Sequence, residues 1–302
     1  MIKFYVPDGH LQDQVLDLFR NSGYKVRISE RGYAPYIDDE QIMLKRLRPQ
    51  DFPSLISIGK GDMAITGSDI IEEYRLLNPK AGRNIVELLD LRFGRTKLVV
   101  SVSLDAMPKV RTTSDLKKFS KSRQIVVATE YPKMTEDYLR KNRINAIVQR
   151  PAGKTEAWIV PPNPEADVVV DTSETGRTLK ENNCRIIDVI RETSARLVAN
   201  RKSLADKKKA IKIKEIVSLF EGSLRAEGMV NVYLNVTNSK NIDRVLKTLN
   251  RYVGRPTISD LRGGGYDIFI VIEEGNLRHI IPDLVRNGAS AITVSNTRMI
   301  LG

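Results

Sequence analysis

Two periods organise the apolar positions of this chain. Residues 2–6 (Ile-Lys-Phe-Tyr-Val) read as a strand and residues 7–10 as a tight loop. Leu11, Val15, Leu18 and Phe19 then fall at helical spacing, and Gly23 ends that helix. Residues 53–58 predict a short helix with Asp51 as its cap. Residues 61–69 predict an apolar strand, a loop carrying Gly67 and a helix start. Residues 97–102, 125–129 and 186–190 read as further strands, with Thr135 opening the helix after the second of them. Residues 166–170 (Ala-Asp-Val-Val-Val) are a β-branched run of the kind buried in a parallel sheet, and residues 161–164 form a loop ahead of it. Residues 204–226 read as one long amphipathic helix. Ile211, Ile213, Ile216, Val217 and Phe220 form its apolar face, and Lys207, Lys208 and Lys209 point outward.

The last part of the chain has its own logic. Residues 230–236 alternate as a strand, and residues 239–252 form a helix with Ile242, Val245, Leu246 and Leu249 on one face. Strands at 257–261 and 266–272 flank the Gly263-Gly264-Gly265 turn, followed by a helix at 276–287 and a strand at 289–294. The order βαββαβ is ferredoxin-like.

Composition narrows the function classes. The chain has 302 residues, 41% hydrophobic and 28% charged, which is ordinary for a globular protein with a sizeable core. No apolar run reaches the roughly 18 residues a membrane span needs, so no membrane partner is expected. The first ten residues have no signal-peptide pattern, and the single Cys184 excludes an internal disulfide; both point to the cytoplasm. Two histidines and one cysteine leave little for zinc, so any metal is expected to be Mg²⁺ arriving with phosphates. The net charge of +12 suits either nucleic acid or small polyanionic substrates. Aromatics are few and not interleaved with the basic residues, which argues against nucleic acid.

The chemistry concentrates after the 166–170 run. The apolar strand ends in Asp171. A polar loop over 172–177 contains Gly176, and good helix formers follow over 178–181. Backbone N–H groups at such a helix start lack internal acceptors and attract anions. Thr175 and Thr178 can add hydroxyl donors, and Gly176 lets a phosphate approach the backbone. The same residues also fit an ordinary strand–loop–helix connection with a threonine cap.

The string Ala166 to Asn183, ADVVVDTSETGRTLKENN, resembles the 5-phosphoribosyl-1-pyrophosphate (PRPP) motif of the ATP phosphoribosyltransferases of histidine biosynthesis. Further strings are similar to that family. They are the Pro7-x-Gly9-x-Leu11 turn, residues 61–69, the Leu-Asp-Leu-x-Phe-Gly at 89–94, the Ala-Thr-x-Tyr-Pro at 128–132, Gly153-Lys154-Thr155-Glu156 and residues 192–197. Two departures share a direction. Asp8 and His10 stand where the family has lysine and arginine, and Glu130 stands where a basic residue is usual.

The resemblance covers nearly the whole chain and implies the family's long form. The implied fold is α/β: two periplasmic-binding-protein-like lobes plus a C-terminal ferredoxin-like (ACT-like) βαββαβ domain. It implies a first lobe of residues 1–95 and 185–226, a second of 96–184 with the PRPP motif, and a regulatory domain of 227–302. It implies ATP and PRPP as substrates, Mg²⁺ as cofactor, histidine as feedback inhibitor, and dimers assembling into hexamers. Asp171, Glu174, Thr175, Gly176, Arg177 and Thr178 would bind PRPP, and Asp171 and Glu156 would serve the ribose. Gly9, Arg48 and Gly67 would line the ATP or phosphate cleft. Asp171 would reach the metal through water, and Thr257 and Ser259 would meet the effector. The alternative is a non-catalytic two-lobed metabolite sensor related to the family, which Asp8 favours.

Overall fold

The computed structural model describes residues 1–29, 32–151, 153, 155–160, 164–252 and 254–302. The expected loop at 161–164 and the Lys154 of the 153–156 string fall at least partly outside them. The chain forms two compact units, one of Met1–Asp17 with Lys25–Glu215, the other of Leu18–Tyr24 with Ile216–Gly302.

The larger unit is built on two five-stranded mixed sheets. In the first, strands run in the order Ile42–Leu47, Ile2–Pro7, Met63–Gly67, Ala195–Asn200, Ile85–Asp90. The first three are parallel, and Ala195–Asn200 runs antiparallel to both its neighbours. In the second sheet the order is Cys184–Thr193, Thr96–Ser103, Val168–Ser173, Ile125–Thr129, Ala146–Gln149. The last three are parallel, and Thr96–Ser103 is antiparallel to the strands on either side of it.

The central strands of each sheet, Ile2–Pro7, Met63–Gly67, Thr96–Ser103, Ile125–Thr129 and Val168–Ser173, are buried and read as largely continuous apolar runs, whereas the edge strands are partly exposed. Tyr5, Phe52, Ile56, Ala64, Ile71, Ile85 and Val198 form a core on the first sheet. On the second, Val168 and Val170 pack into one cluster with Leu98, Val127 and Met134. Val169 packs on the opposite face with Val99, Ala128 and Leu179. Alternate residues of one strand therefore serve two cores.

The chain passes between the sheets twice, through residues 91–95 and through Ser194 alone. Both passages lie at the edge where the parallel strands end, since Ala195 pairs with Gly67 and Ser173 with Lys97. Ser194 is held there by its carbonyl, which accepts from Ser68 N–H at 3.0 Å, and by its hydroxyl, which donates to Asp90 at 2.9 Å. The two carboxyl edges thus share the side of the unit on which the lobes are joined, the place where open α/β sheets present their ligand-binding loops.

The smaller unit holds the four-stranded antiparallel sheet Thr257–Asp260, Tyr266–Glu273, Met229–Val236, Ser290–Asn296, in that spatial order. This is the ferredoxin-like arrangement expected of βαββαβ. Helices Ile242–Leu249 and Leu277–Arg286 supply Val245, Leu249, Ile280 and Leu284 to its core.

Several local expectations are corrected. Asp51 makes no side-chain cap, because Pro49–Asp51 is already a 3-10 turn and Asp51 itself has helical dihedrals. No loop separates Met63–Gly67 from its helix, which starts at Ser68. The helix expected from Thr135 begins at Pro132, where proline needs no donor. The long helix breaks at Asp206, which is extended and accepts the N–H of Lys209 as the cap of Lys207–Ala226. Ile211 is exposed rather than packed. Lys209 does not point only to solvent: its ammonium donates to buried Asp62 at 2.7 Å. Burial pushes the Asp62 carboxyl up, but Lys209, the Lys3 N–H and the Ser203 hydroxyl together bring it below the usual carboxylate range.

Candidate active site

The strand carrying Asp171 runs two residues beyond it, to Ser173, because the backbone there still pairs with Thr96–Ser103. The expected six-residue loop shrinks to Glu174, Thr175 and Gly176, and the helix Arg177–Glu181 starts one residue early. Gly176 adopts φ +74°, a left-handed conformation that strains any side chain. A Cβ there would lie 3.2 Å from the tip of Ile186. The Gly176 N–H donates to Ser173 Oγ at 2.9 Å and the Arg177 N–H to Thr175 Oγ1 at 3.3 Å. Accepting through oxygen leaves both hydroxyl protons free to turn outward, so the loop presents Ser173 and Thr175 O–H groups as well as backbone. Thr178 is exposed beside them. Arg177 points along its own helix to Glu181 at 2.8 Å.

Asp171 is the most perturbed carboxylate of this edge. Burial pushes it up, and the charges of Glu130 and Glu156 add to the shift. The Thr172 N–H and the Thr155 hydroxyl oppose it, leaving a pKa of about 6. The structure therefore brings Asp171 and Glu156 into one electrostatic neighbourhood, with Glu130 as its third member. Among the described residues no three His, Cys, Asp or Glu side chains converge closely enough to hold a metal. The hard oxygen donors suit Mg²⁺, but such an ion would have to take most of its ligands from phosphates and water.

On the facing edge, Gly9 follows Ile2–Pro7 at φ +76° with open space where a Cβ would be. Asp8 is tied to the end of the neighbouring strand through its N–H to Leu47 O at 3.1 Å, and His10 is exposed. Arg48 follows Ile42–Leu47 and lines a cavity of about 510 Å³ with Gln50, Asp51, Glu130, Arg150 and Gly153. At Gly67 a Cβ would sit 2.2 Å from Asp69 Oδ1, so this glycine makes room for the carboxylate two residues on.

Glu174 lies apart from Arg48. It lines a cavity of about 450 Å³ at the two chain passages, with Asp90, Arg95, Lys97, Glu192 and Arg196. Arg196 pairs with Asp90 there at 2.8 Å, and Arg95 is exposed. Thr257 and Ser259 belong to the other unit, on its exposed edge strand.

Sequence reasoning missed Arg150, Asp69, Tyr131 and Glu73. Arg150 follows a four-residue edge strand, Ala146–Gln149, too short to carry a pattern. Tyr131 lies in the Ala-Thr-x-Tyr-Pro string at 128–132, and a buried aromatic before proline reads as core. Its hydroxyl instead donates to Asp69 Oδ2 at 2.5 Å. Burial first, then the charges of Asp69 and Asp171, hold that phenol far above its ordinary range.

Two lobes, an acid-tipped central strand and a glycine loop beyond it define a transferase of the phosphoribosyltransferase type, and comparison with known proteins agrees. The family model "ATP phosphoribosyltransferase" (HisG) matches residues 48–222, and the model "HisG, C-terminal domain" matches residues 226–298. An ATP phosphoribosyltransferase of Archaeoglobus fulgidus is 36% identical over 82% of this chain and 88% of its own. One from Pelodictyon phaeoclathratiforme is 31% identical over 100% of this chain and 98% of its own. Among solved structures, the ATP phosphoribosyl transferase (HisG:HisZ) complex from Thermotoga maritima aligns with a TM-score of 0.58. It is 22% identical and covers 73% of this chain and 99% of that one, a likeness of fold. The chain belongs to the ATP phosphoribosyltransferase family, in the long form that carries the C-terminal domain.

Proposed function

We propose that this protein joins N1 of the adenine of ATP to C1 of the PRPP ribose, releasing pyrophosphate, as the first step of histidine biosynthesis in the cytoplasm. The observation that carries this reading is Asp171, half-buried at the end of the central strand and followed within five residues by the left-handed turn at Gly176.

The 5-phosphate of PRPP sits over residues 174–178, taking the Thr175 and Ser173 hydroxyls and the exposed turn at Gly176. Asp171 faces the ribose hydroxyls. Its carboxylate accepts their hydrogen bonds and offsets positive charge as the C1–O bond to pyrophosphate breaks ahead of attack by adenine N1. Glu156 supports the same ribose through the negative field it shares with Asp171. No covalent intermediate with the protein is required. Asp171 is the residue that would hold Mg²⁺ from the protein side, and the ion would supply charge neutralisation for the leaving group.

Across the cleft, Gly9 keeps its first-lobe loop open to ATP, and Gly67 places the helix start at Ser68 at the same edge. Arg48 and Arg150 provide cations beside Glu130, so the acidic departures at Asp8 and Glu130 do not leave this corner without positive charge. Two face-to-face polyanions account for the net charge of +12. The two lobes are the parts built on the two sheets: residues 1–95 with 194–226, and 96–193, since Cys184–Thr193 lies in the second sheet and the expected return to the first lobe at 185 comes only at Ser194. Residues 227–302 act as the regulatory domain, in which Thr257 and Ser259 contact inhibitory histidine. Assembly into dimers and hexamers goes with that arrangement.

Pyrophosphate release from purified protein tests the proposal. Release that needs ATP, PRPP and Mg²⁺ together and falls on addition of histidine is the expected result. PRPP binding without release at any pH would replace this reading with the non-catalytic sensor.

A further inference from the structure

Helix Ser68–Leu77 belongs to the first lobe and helix Pro132–Asn142 to the second. The second helix begins without a cap of its own: Tyr131, at the N-cap position, makes no side-chain cap, and Pro132 has no N–H. The next two amides are nevertheless satisfied. Lys133 N–H donates to Glu73 Oε1 at 2.8 Å and Met134 N–H to Glu73 Oε2 at 2.9 Å. Thr135 N–H returns to the Tyr131 carbonyl at 3.0 Å. A helix start in one lobe is thus capped by a carboxylate from the other, with charge and macrodipole aligned favourably.

One turn back on the same helix face, Asp69 takes the Tyr131 hydroxyl. Asp69 and Glu73 are 5% and 6% exposed, so neither carboxylate can fall back on water for its partners. Glu73 also lines a cavity of about 200 Å³ with Gln50, Glu130, Tyr131 and Arg150, which adjoins the Arg48 corner through its shared residues.

We propose that Glu73 and Asp69 are positioning residues. They clasp the Tyr131–Pro132 helix start and hold the two carboxyl edges at the separation at which the Asp171 strand tip faces the first-lobe loops. The inference rests on the phosphoribosyl-transfer reading for its catalytic consequence, although the clasp itself is structural. Substrates bound across the cleft contribute their own closing contacts, so loss of the clasp acts mainly before substrates are bound.

The test uses the full chain with Cys184→Ser and spin labels at Lys60→Cys and Lys141→Cys, exposed positions on the first and second lobes. In the ligand-free protein, Glu73→Ala is expected to lengthen and broaden the label distance distribution, and Glu73→Gln, which keeps one carbonyl acceptor, to restore part of it. Kinetically, Glu73→Ala should raise KM for both ATP and PRPP by about tenfold with kcat within about threefold, the scale of a lost charge-assisted hydrogen-bond pair. Glu136→Gln, on the exposed side of the same helix start, should change neither. A distance distribution identical to that of the parent, or unchanged KM values, would overturn the clasp. If Glu73→Ala does not fold, Tyr131→Phe removes a single hydroxyl and carries the same two readouts. Should the parent protein release no pyrophosphate, the reaction reading fails while the distances still decide the clasp.

Discussion

The sheets of the two units solve opposite problems. Val168–Ser173 is covered on both faces, and its three valines are each at most 1% exposed. Such a strand can display chemistry only where it ends, and Asp171 and the loop at 174–176 lie there. Met229–Val236 is covered on one face. Val230, Val232, Leu234 and Val236 are buried, while Tyr233 between them is 43% exposed and stacks with Phe269 at 4.8 Å. That sheet displays a surface. The contrast separates a site made at strand tips, suited to gripping a small polyanion, from a face and two exposed edge strands suited to an effector or another chain.

The strand tip should give the largest effects. Asp171→Asn is expected to lower kcat by about 100-fold or more, with KM for PRPP within about threefold, if charge development at the ribose is what the carboxylate meets. Steady-state kinetics with pyrophosphate detection decides it, and an unchanged kcat removes the ribose role. The same residue sets a pH dependence. The folded pKa of about 6 lies above the ordinary aspartate value, so the ionised form is what folding penalises. Stability therefore declines as pH rises from about 4 to about 6 and stays reduced above that. Asp171→Asn should raise the melting temperature at pH 8 and not at pH 4. In the parent, kcat/KM for PRPP should fall as pH drops below about 6, an inflection absent from the variant.

Truncation within the strands sharpens the comparison by a smaller margin. Val169→Ala removes atoms from a two-sided core and should cost roughly 2 kcal/mol. Tyr233→Thr on the uncovered face should cost about 1 kcal/mol or less, largely its pairing with Phe269. Paired denaturant melts compare the two, and equal costs would show that the Tyr233 face is covered in solution. The smallest change is Thr257→Ala, expected to raise the histidine concentration for half-inhibition about fivefold, the loss of one hydrogen bond, with turnover intact. An unaltered inhibition curve removes Thr257 from the effector site.

The central strands of both sheets were legible as apolar runs, whereas Ile42–Leu47, Ile85–Asp90, Ala146–Gln149 and Ala195–Asn200 were not read as strands. Ile125–Thr129 was readable to the residue, and the two central strands of the one-sided C-terminal sheet, Met229–Val236 and Tyr266–Glu273, alternate. What escaped depends on partners far along the chain. The strand end at Ser173 is set by pairing with residues some 70 positions earlier, which no local pattern in 172–177 reveals. Lys209 looked like one of three solvated lysines until Asp62, 147 residues away, took its charge. Glu73 drew no reading at all, since the amides it caps are contributed 60 residues later. At the candidate site the Gly176 turn and Asp171 were visible as a string. Arg150 and Tyr131 were not, because their meaning lies in which lobe they face.

The position of Ala195–Asn200 has a consequence for how the polypeptide is made. This strand lies inside the first sheet, between Met63–Gly67 and Ile85–Asp90, yet it is reached only after all five strands of the second sheet have passed. A growing chain emerging from the ribosome can therefore complete the second sheet while the first still has a gap at its middle, with the edges of Met63–Gly67 and Ile85–Asp90 unpaired. Biosynthesis reverses the order of the numbering: the lobe that begins first is the last to close.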